Sequence, residues 1–113
     1  MLEDADDPRY HSSLGIAYAA LGRKEAAIRE GQRAIELFPV SRDAAYALPY
    51  PQDLAHIYVL TGDHQSAVKQ LEHLLSIPGW VSTQWLELDP RWAPLRDDPG
   101  YRSLVREYGD PEA

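Results

Sequence analysis

Between Arg9 and Leu21 the apolar positions Leu14, Ala17, Tyr18 and Leu21 recur at spacings of three and four, the period of one helical face. Gly22 follows, a residue suited to closing a helix in the left-handed conformation. A second apolar stripe, Ala27, Ile28, Gly31, Ala34, Ile35 and Phe38, predicts a helix from Lys24 to Leu37. Arg23, Lys24, Glu25, Arg29, Glu30, Arg33 and Glu36 line its other side as a solvated face, and Pro39 stops it. Forty residues on, the same wording returns as Leu54-Ala55, Tyr58, Gly62, Ala67, Leu71, Leu74 and Pro78. The step from Tyr18 to Ala27 and the step from Tyr58 to Ala67 are both nine residues. Recurrence on this scale predicts helix pairs stacked as a solenoid.

The punctuation agrees. Asp7-Pro8 opens the first helix, an N-cap followed by a proline at the first helical position. Ser41 caps a short helix over Arg42 to Ala47. Pro49 and Pro51 then predict a break at 48–50 and a restart at Pro51, because a helix interior tolerates neither. The restarted helix carries Leu54, Ala55, Ile57 and Tyr58 to Leu60, and Thr61-Gly62-Asp63 forms the turn. A fourth helix, over about residues 64–76, buries Ala67, Val68, Leu71, Leu74 and Leu75 and ends at Pro78-Gly79.

The tail is different in kind. Ser82 or Thr83 caps a short helix with Trp85, Leu86 and Leu88; Asp89-Pro90 starts a segment that Pro94 limits to about one turn; Asp98-Pro99 opens a last helix with Tyr101, Leu104, Val105 and Tyr108, ended by Gly109. The three tryptophans all lie between residues 80 and 92. This segment is expected to cover the apolar edge of the last repeat, as solenoids require. The fold expected is all-α, one domain over 1–113: a first repeat at 8–39, a second at 41–79 with a proline-broken first helix, and capping helices at 80–109.

Composition narrows the function classes. A chain of 113 residues with 44% hydrophobic content can bury a core unaided. It has no cysteine, which excludes disulfides and cysteine zinc sites. Eleven basic against eighteen acidic residues give a net charge of −7, which disfavours nucleic acid and anionic membrane as partners. The start, MLEDADDP, is acidic where a signal peptide is basic and then apolar, and no apolar run is long enough to span a bilayer; the expected location is cytoplasmic.

The repeated text resembles the tetratricopeptide family, with its pattern W-x2-L-G-x2-Y, A-x3-F, P. Here it reads His11-x2-Leu14-Gly15-x2-Tyr18, Ala27-x3-Gly31, Pro39, and then Pro51-x2-Leu54-Ala55-x2-Tyr58, Ala67-x3-Leu71, Pro78. The resemblance implies an α-α superhelix of two such helix hairpins, with small residues at Gly15, Ala55, Ala27 and Ala67 for close approach and Tyr18 and Tyr58 between successive helices. His11 and Pro51 depart from a bulky apolar residue, and Gly31 from an aromatic one, so the first pair is expected to be loosely packed or filled by a neighbour. From Pro39 onward, and most specifically in LDPRWAPLRDDPGYRSLV, the chain also resembles the C-terminal end of bacterial tetratricopeptide regions. Those regions often follow a serine/threonine kinase, nucleotide cyclase or DNA-binding regulator. None of those enzymes' catalytic motifs is present.

Candidate chemistry is sparse. His56, His64 and His73 stand eight and nine residues apart in no ligand-pair spacing, which makes them surface or groove residues. Ser12-Ser13 lacks nucleophile-elbow glycines, and the acidic Glu3, Asp4, Asp6 and Asp7 lack the glycine and ligand spacing of a calcium loop. No catalytic residue, cofactor or metal is expected. The resemblance implies a concave face built from the first helix of each repeat, holding extended or helical peptides. On helical geometry Arg9, Ser12, Ser13, Ile16 and Ala20 lie on that side of the first repeat, and Gln52, Asp53, His56 and Leu60 beside them in the second. Arg9 is its one cation and Asp53 repels a carboxylate, so a carboxylate clamp is not expected.

The function these features point to is a non-catalytic protein-interaction or scaffold module. The alternative is a regulatory C-terminal segment of a larger bacterial signalling enzyme. Two repeats leave one side of the first helix without a neighbour, with Tyr10, Ala17 and Leu21 partly exposed there, and that edge is expected to pair either with a second copy, as a homodimer, or with further repeats.

Overall fold

A computed structural model describes residues 7–39, 42–77 and 82–109. Glu3, Asp4, Asp6, the Ser41 cap, the Pro78-Gly79 terminator, Trp80 and the final residues 110–113 lie outside them. The elements are α1 (Pro8–Ala20), α2 (Lys24–Leu37), α3 (Ala44–Ala47), α4 (Pro49–Leu60), α5 (His64–Leu75), α6 (Thr83–Leu88), a 3-10 segment (Pro90–Leu95) and α7 (Pro99–Tyr108). The described residues contain no strand, and the fold is an all-α repeat of helix pairs. Helix α1 folds back on α2 and α4 on α5, while α4 lies against both α1 and α2.

Aspartates set most of the helix starts. Asp7 accepts from the Arg9 amide at 2.9 Å, Asp63 from Ser66 at 3.2 Å, Asp89 from Arg91 at 3.0 Å, and Asp98 from Gly100 at 2.8 Å and Tyr101 at 3.1 Å. Ser82 does the same for α6 through the Trp85 amide. Each removes an orphan donor from a first helical turn. The two hairpin turns close through Gly22 and Gly62 at φ 80° and 81°, a region that costs a residue with a Cβ.

The proline break is narrower than its sequence suggests. Helix α4 begins at Pro49, with Leu48 alone separating it from α3 and still in the right-handed region. Pro51 falls in the first turn, where a missing amide N–H deprives no intrahelical bond, so both prolines fit one helix start.

The centre of the molecule is a notch filled by Ile57. A methyl group on Gly15 would fall 2.8 Å from Ile57 Cδ1, and one on Gly31 would fall 2.9 Å from the same atom and 3.0 Å from Leu54 Cδ1. Gly15 and Gly31 therefore leave a hole between α1 and α2 that α4 fills with the fully buried Ile57. The position that lacks an aromatic in the first pair is filled by its neighbour. Ala19 and Ala27 complete the cluster, with Ile16, Tyr18 and Ile28 packed at its rim.

This packing decides which side of α1 faces in. The buried positions are Ser12, Gly15 and Ala19, small residues that admit close approach. The stripe of Leu14, Ala17, Tyr18 and Leu21 is not the inward face: Leu14 and Tyr18 are half-buried, Ala17 is exposed, and Leu21 is 72% exposed.

The C-terminal helices pack on the second pair. Leu86, Trp92, Leu95, Tyr101 and Leu104 join Ala55, Val59, Ala67, Leu71 and Leu74 in one cluster, with Tyr58, Val68 and Trp85 against it. The 3-10 segment meets α4 and α7 meets α5.

Truncating the side chain in the notch removes the contact of α4 with α1 and α2 at once. Ile57→Ala is expected to cost about 2–5 kcal/mol in urea unfolding. Leu21→Ala, on the exposed side of α1, is expected to change stability by no more than about 0.5 kcal/mol.

Candidate functional site

The sequence-predicted row on α1 and α4 is tied together by one hydrogen bond. Ser12 Oγ, 2% exposed as a residue, donates to Asp53 Oδ2 at 2.8 Å. Asp53 also faces Arg91, whose Nη1 lies 3.9 Å from Asp53 Oδ1. Arg91 in turn holds Asp89 through Nε at 3.0 Å and Nη2 at 2.7 Å, and its guanidinium stands over the rings of Trp85 (5.8 Å) and Trp92 (5.1 Å). A chain of polar contacts thus runs from α1 through α4 to the 3-10 segment.

This arrangement divides the nine positions. Ser12 is spent inside the structure, and Asp53 is engaged from both sides. His56 is half-buried, edge-on to Trp92 at 6.4 Å between ring centroids. Ile16 and Gln52 are half-buried, while Arg9, Ser13, Ala20 and Leu60 are exposed. Arg9 bonds Asp7 through Nε at 3.1 Å and Nη2 at 2.7 Å, so the row's one cation already has a carboxylate. Of the other histidines, His11 meets Glu30 across α1 and α2, with Nδ1 2.6 Å from Oε1.

The electrostatics follow from these contacts. Hydrogen bonds from Arg91 hold the Asp89 carboxyl below its ordinary range, and those from Ser66 do the same for Asp63. Burial, with Arg91 next, pushes His56 below its ordinary value, against the smaller opposite pull of Asp53 and Asp89. The packed setting of His56 thus disfavours its protonated form. Trp92 is fully buried, and its indole N–H finds no acceptor among the described residues, a cost of about 1–3 kcal/mol set against its packing. No group of three or more His, Asp or Glu residues among those described could hold a metal ion. No helix among them is long and apolar enough to cross a membrane.

Two stretches, residues 8–39 and residues 52–78, match models of the tetratricopeptide repeat. The chain belongs to the tetratricopeptide-repeat family. Searches of curated proteins and of solved structures found no match. Tetratricopeptide repeats generally mediate protein–protein interaction and bind protein or peptide partners. In this repeat pair His11 stands where the family pattern has tryptophan, and its contact with Glu30 supplies a polar link between α1 and α2 at that position.

Arg91 is the residue that sequence reasoning missed. It was legible only as part of a helix start, yet it joins Asp53, Asp89, Trp85 and Trp92. A signal was available: Asp-Pro-Arg occurs at 7–9 and again at 89–91, and both copies form the same local clasp of aspartate, amide and guanidinium. The copies differ in surroundings, with the Arg9 side chain 81% exposed and that of Arg91 30%.

The lowered His56 value carries a sign. Below its ordinary 6.5 the unfolded chain takes up a proton that folded His56 resists, so its contribution to stability is complete above that pH and is lost as pH falls through the folded value. A ring-proton NMR titration is expected to place the His56 midpoint below 6.5, and Arg91→Gln is expected to move it upward.

Proposed function

We propose that this chain is a non-catalytic interaction module that associates with a second copy of itself through the unpartnered face of α1. The observation that carries the reading is the placement of Tyr10, Leu14, Ala17 and Leu21. On a helix of 3.6 residues per turn these four positions fall on one side, opposite Ser12. Tyr10 is 48% and Leu21 72% exposed, while Ser12, Gly15 and Ala19 face the rest of the molecule. The family builds its core by stacking helices on such faces. At the other end α7 and the 3-10 segment already lie against α5 and α4, which supports reading residues 82–109 as a cap.

The concave row remains a peptide-binding reading in a reduced form. Arg9, Ser13, Ile16 and Ala20 share one side of α1, and Leu60, 43% exposed, offers an apolar position on α4. An apolar peptide suits that surface better than an acidic one, since Asp7 holds Arg9 and Asp53 lies in the row. The alternative of a regulatory segment attached to a catalytic domain would use the same α1 face to receive a preceding repeat.

Light scattering on the size-exclusion peak, over a concentration series, separates these readings. The unaltered chain is expected to dimerise, and Leu21→Arg or Ala17→Arg to yield a monomer with the same helical circular dichroism. A monomer at every concentration for the unaltered chain would sink self-association and leave the groove as the contact surface.

A further inference from the structure

A second surface lies on the C-terminal helices, away from both the α1 face and the concave row. A cavity of about 460 Å³ is lined by Glu87, Arg96, Tyr101, Arg102, Val105 and Arg106. It is large enough to take one or two side chains of a ligand. Its charge runs against the whole molecule: three guanidiniums face one carboxylate here, in a chain whose net charge is −7.

Backbone carbonyls orient two of the arginines. Arg96 Nη2 donates to the Glu87 carbonyl at 3.3 Å, and Arg102 Nε donates to the Arg96 carbonyl at 3.1 Å. Backbone carbonyls fix direction and leave the formal charge intact. Arg102 also meets Asp97 at 3.1 Å, but that carboxylate is 97% exposed, so water and salt compete for it. Arg106 makes no ion pair with any described residue and sits one turn beyond Arg102, an unfavourable like-charge spacing on a helix. An arriving carboxylate relieves that repulsion and completes hydrogen bonds the guanidiniums already present. The floor is apolar, with Tyr101 5% exposed and Val105 half-buried.

We propose that this cavity is a docking site for an acidic peptide segment of a partner protein, its carboxylate held by Arg102 and Arg106 and a neighbouring apolar side chain on Tyr101 and Val105. Glu87 and the overall negative charge disfavour a polyanion such as nucleic acid, while a single carboxylate beside an apolar residue matches both features of the lining. The site is independent of self-association.

The test is fluorescence anisotropy with a short labelled peptide alternating glutamate and leucine. It uses the Leu21→Arg chain, so that the α1 face plays no part. Saturable binding is expected, falling with added salt and weakened at least about tenfold by the Arg102→Gln/Arg106→Gln pair. Glu87→Gln is expected to tighten it, an outcome that misfolding cannot produce. Equal affinity in the double variant, or equal affinity for a glutamine-for-glutamate peptide, would overturn the proposal. Binding of inorganic phosphate without binding of the peptide would overturn it too, since the occupant would then be a free oxyanion.

Discussion

The insertion of one side chain between two glycines governs the structure. Gly15 and Gly31 are poor helix formers, each costing about 1 kcal/mol relative to alanine in a helix interior. They stand there because Ile57 Cδ1 occupies the volume their Cβ atoms would take. Helix α4 can approach α1 and α2 only at that depth, and the Ser12–Asp53 hydrogen bond forms alongside the same approach. Where the family pattern supplies an aromatic from within the first repeat, this chain supplies an aliphatic from the second. The interface between repeats has thereby taken over part of the core of one of them.

The other end of the domain is organised by charge as well as by burial. Arg91 lies between two carboxylates and two indole rings, at a junction where α4 meets the 3-10 segment. Its side chain is 30% exposed, so the pair with Asp89 is partly shielded from water. Coulomb attraction in such a setting exceeds that of a fully solvated pair, while desolvation offsets part of the gain. Arg9 makes the same bonds in open solvent, where they are worth far less.

Turn chemistry was the most legible part of the sequence. Gly22 and Gly62 adopt the left-handed conformation their positions suggest, and Asp7, Ser82, Asp89 and Asp98 cap as local side chains can without help from distant residues. The orientation of α1 was harder, because apolar periodicity shows that a helix has a stripe and not what the stripe will meet. The small residues Ser12, Gly15 and Ala19 mark the true contact side, since only they admit Ile57 and its helix. Pro49 and Pro51 misled for a related reason: proline spacing alone does not show that both can share a first turn. For the candidate site, the row on α1 and α4 could be listed from helical geometry. That Ser12 and Asp53 would spend their polar groups on each other and on Arg91 depends on contacts 38 to 41 residues apart in the chain, and no local pattern carries them.

The open side of α1 has a consequence for symmetry. Tyr10, Leu14, Ala17 and Leu21 lie on one side of α1, while the 3-10 segment and α7 pack on the second helix pair. A patch that meets its own copy does so about a twofold axis, each residue's contact returned by its counterpart. Such an arrangement closes at two chains and leaves no free copy of the patch for a third. A pair built this way would carry two arginine-lined cavities, as a bivalent object and not as the beginning of a filament.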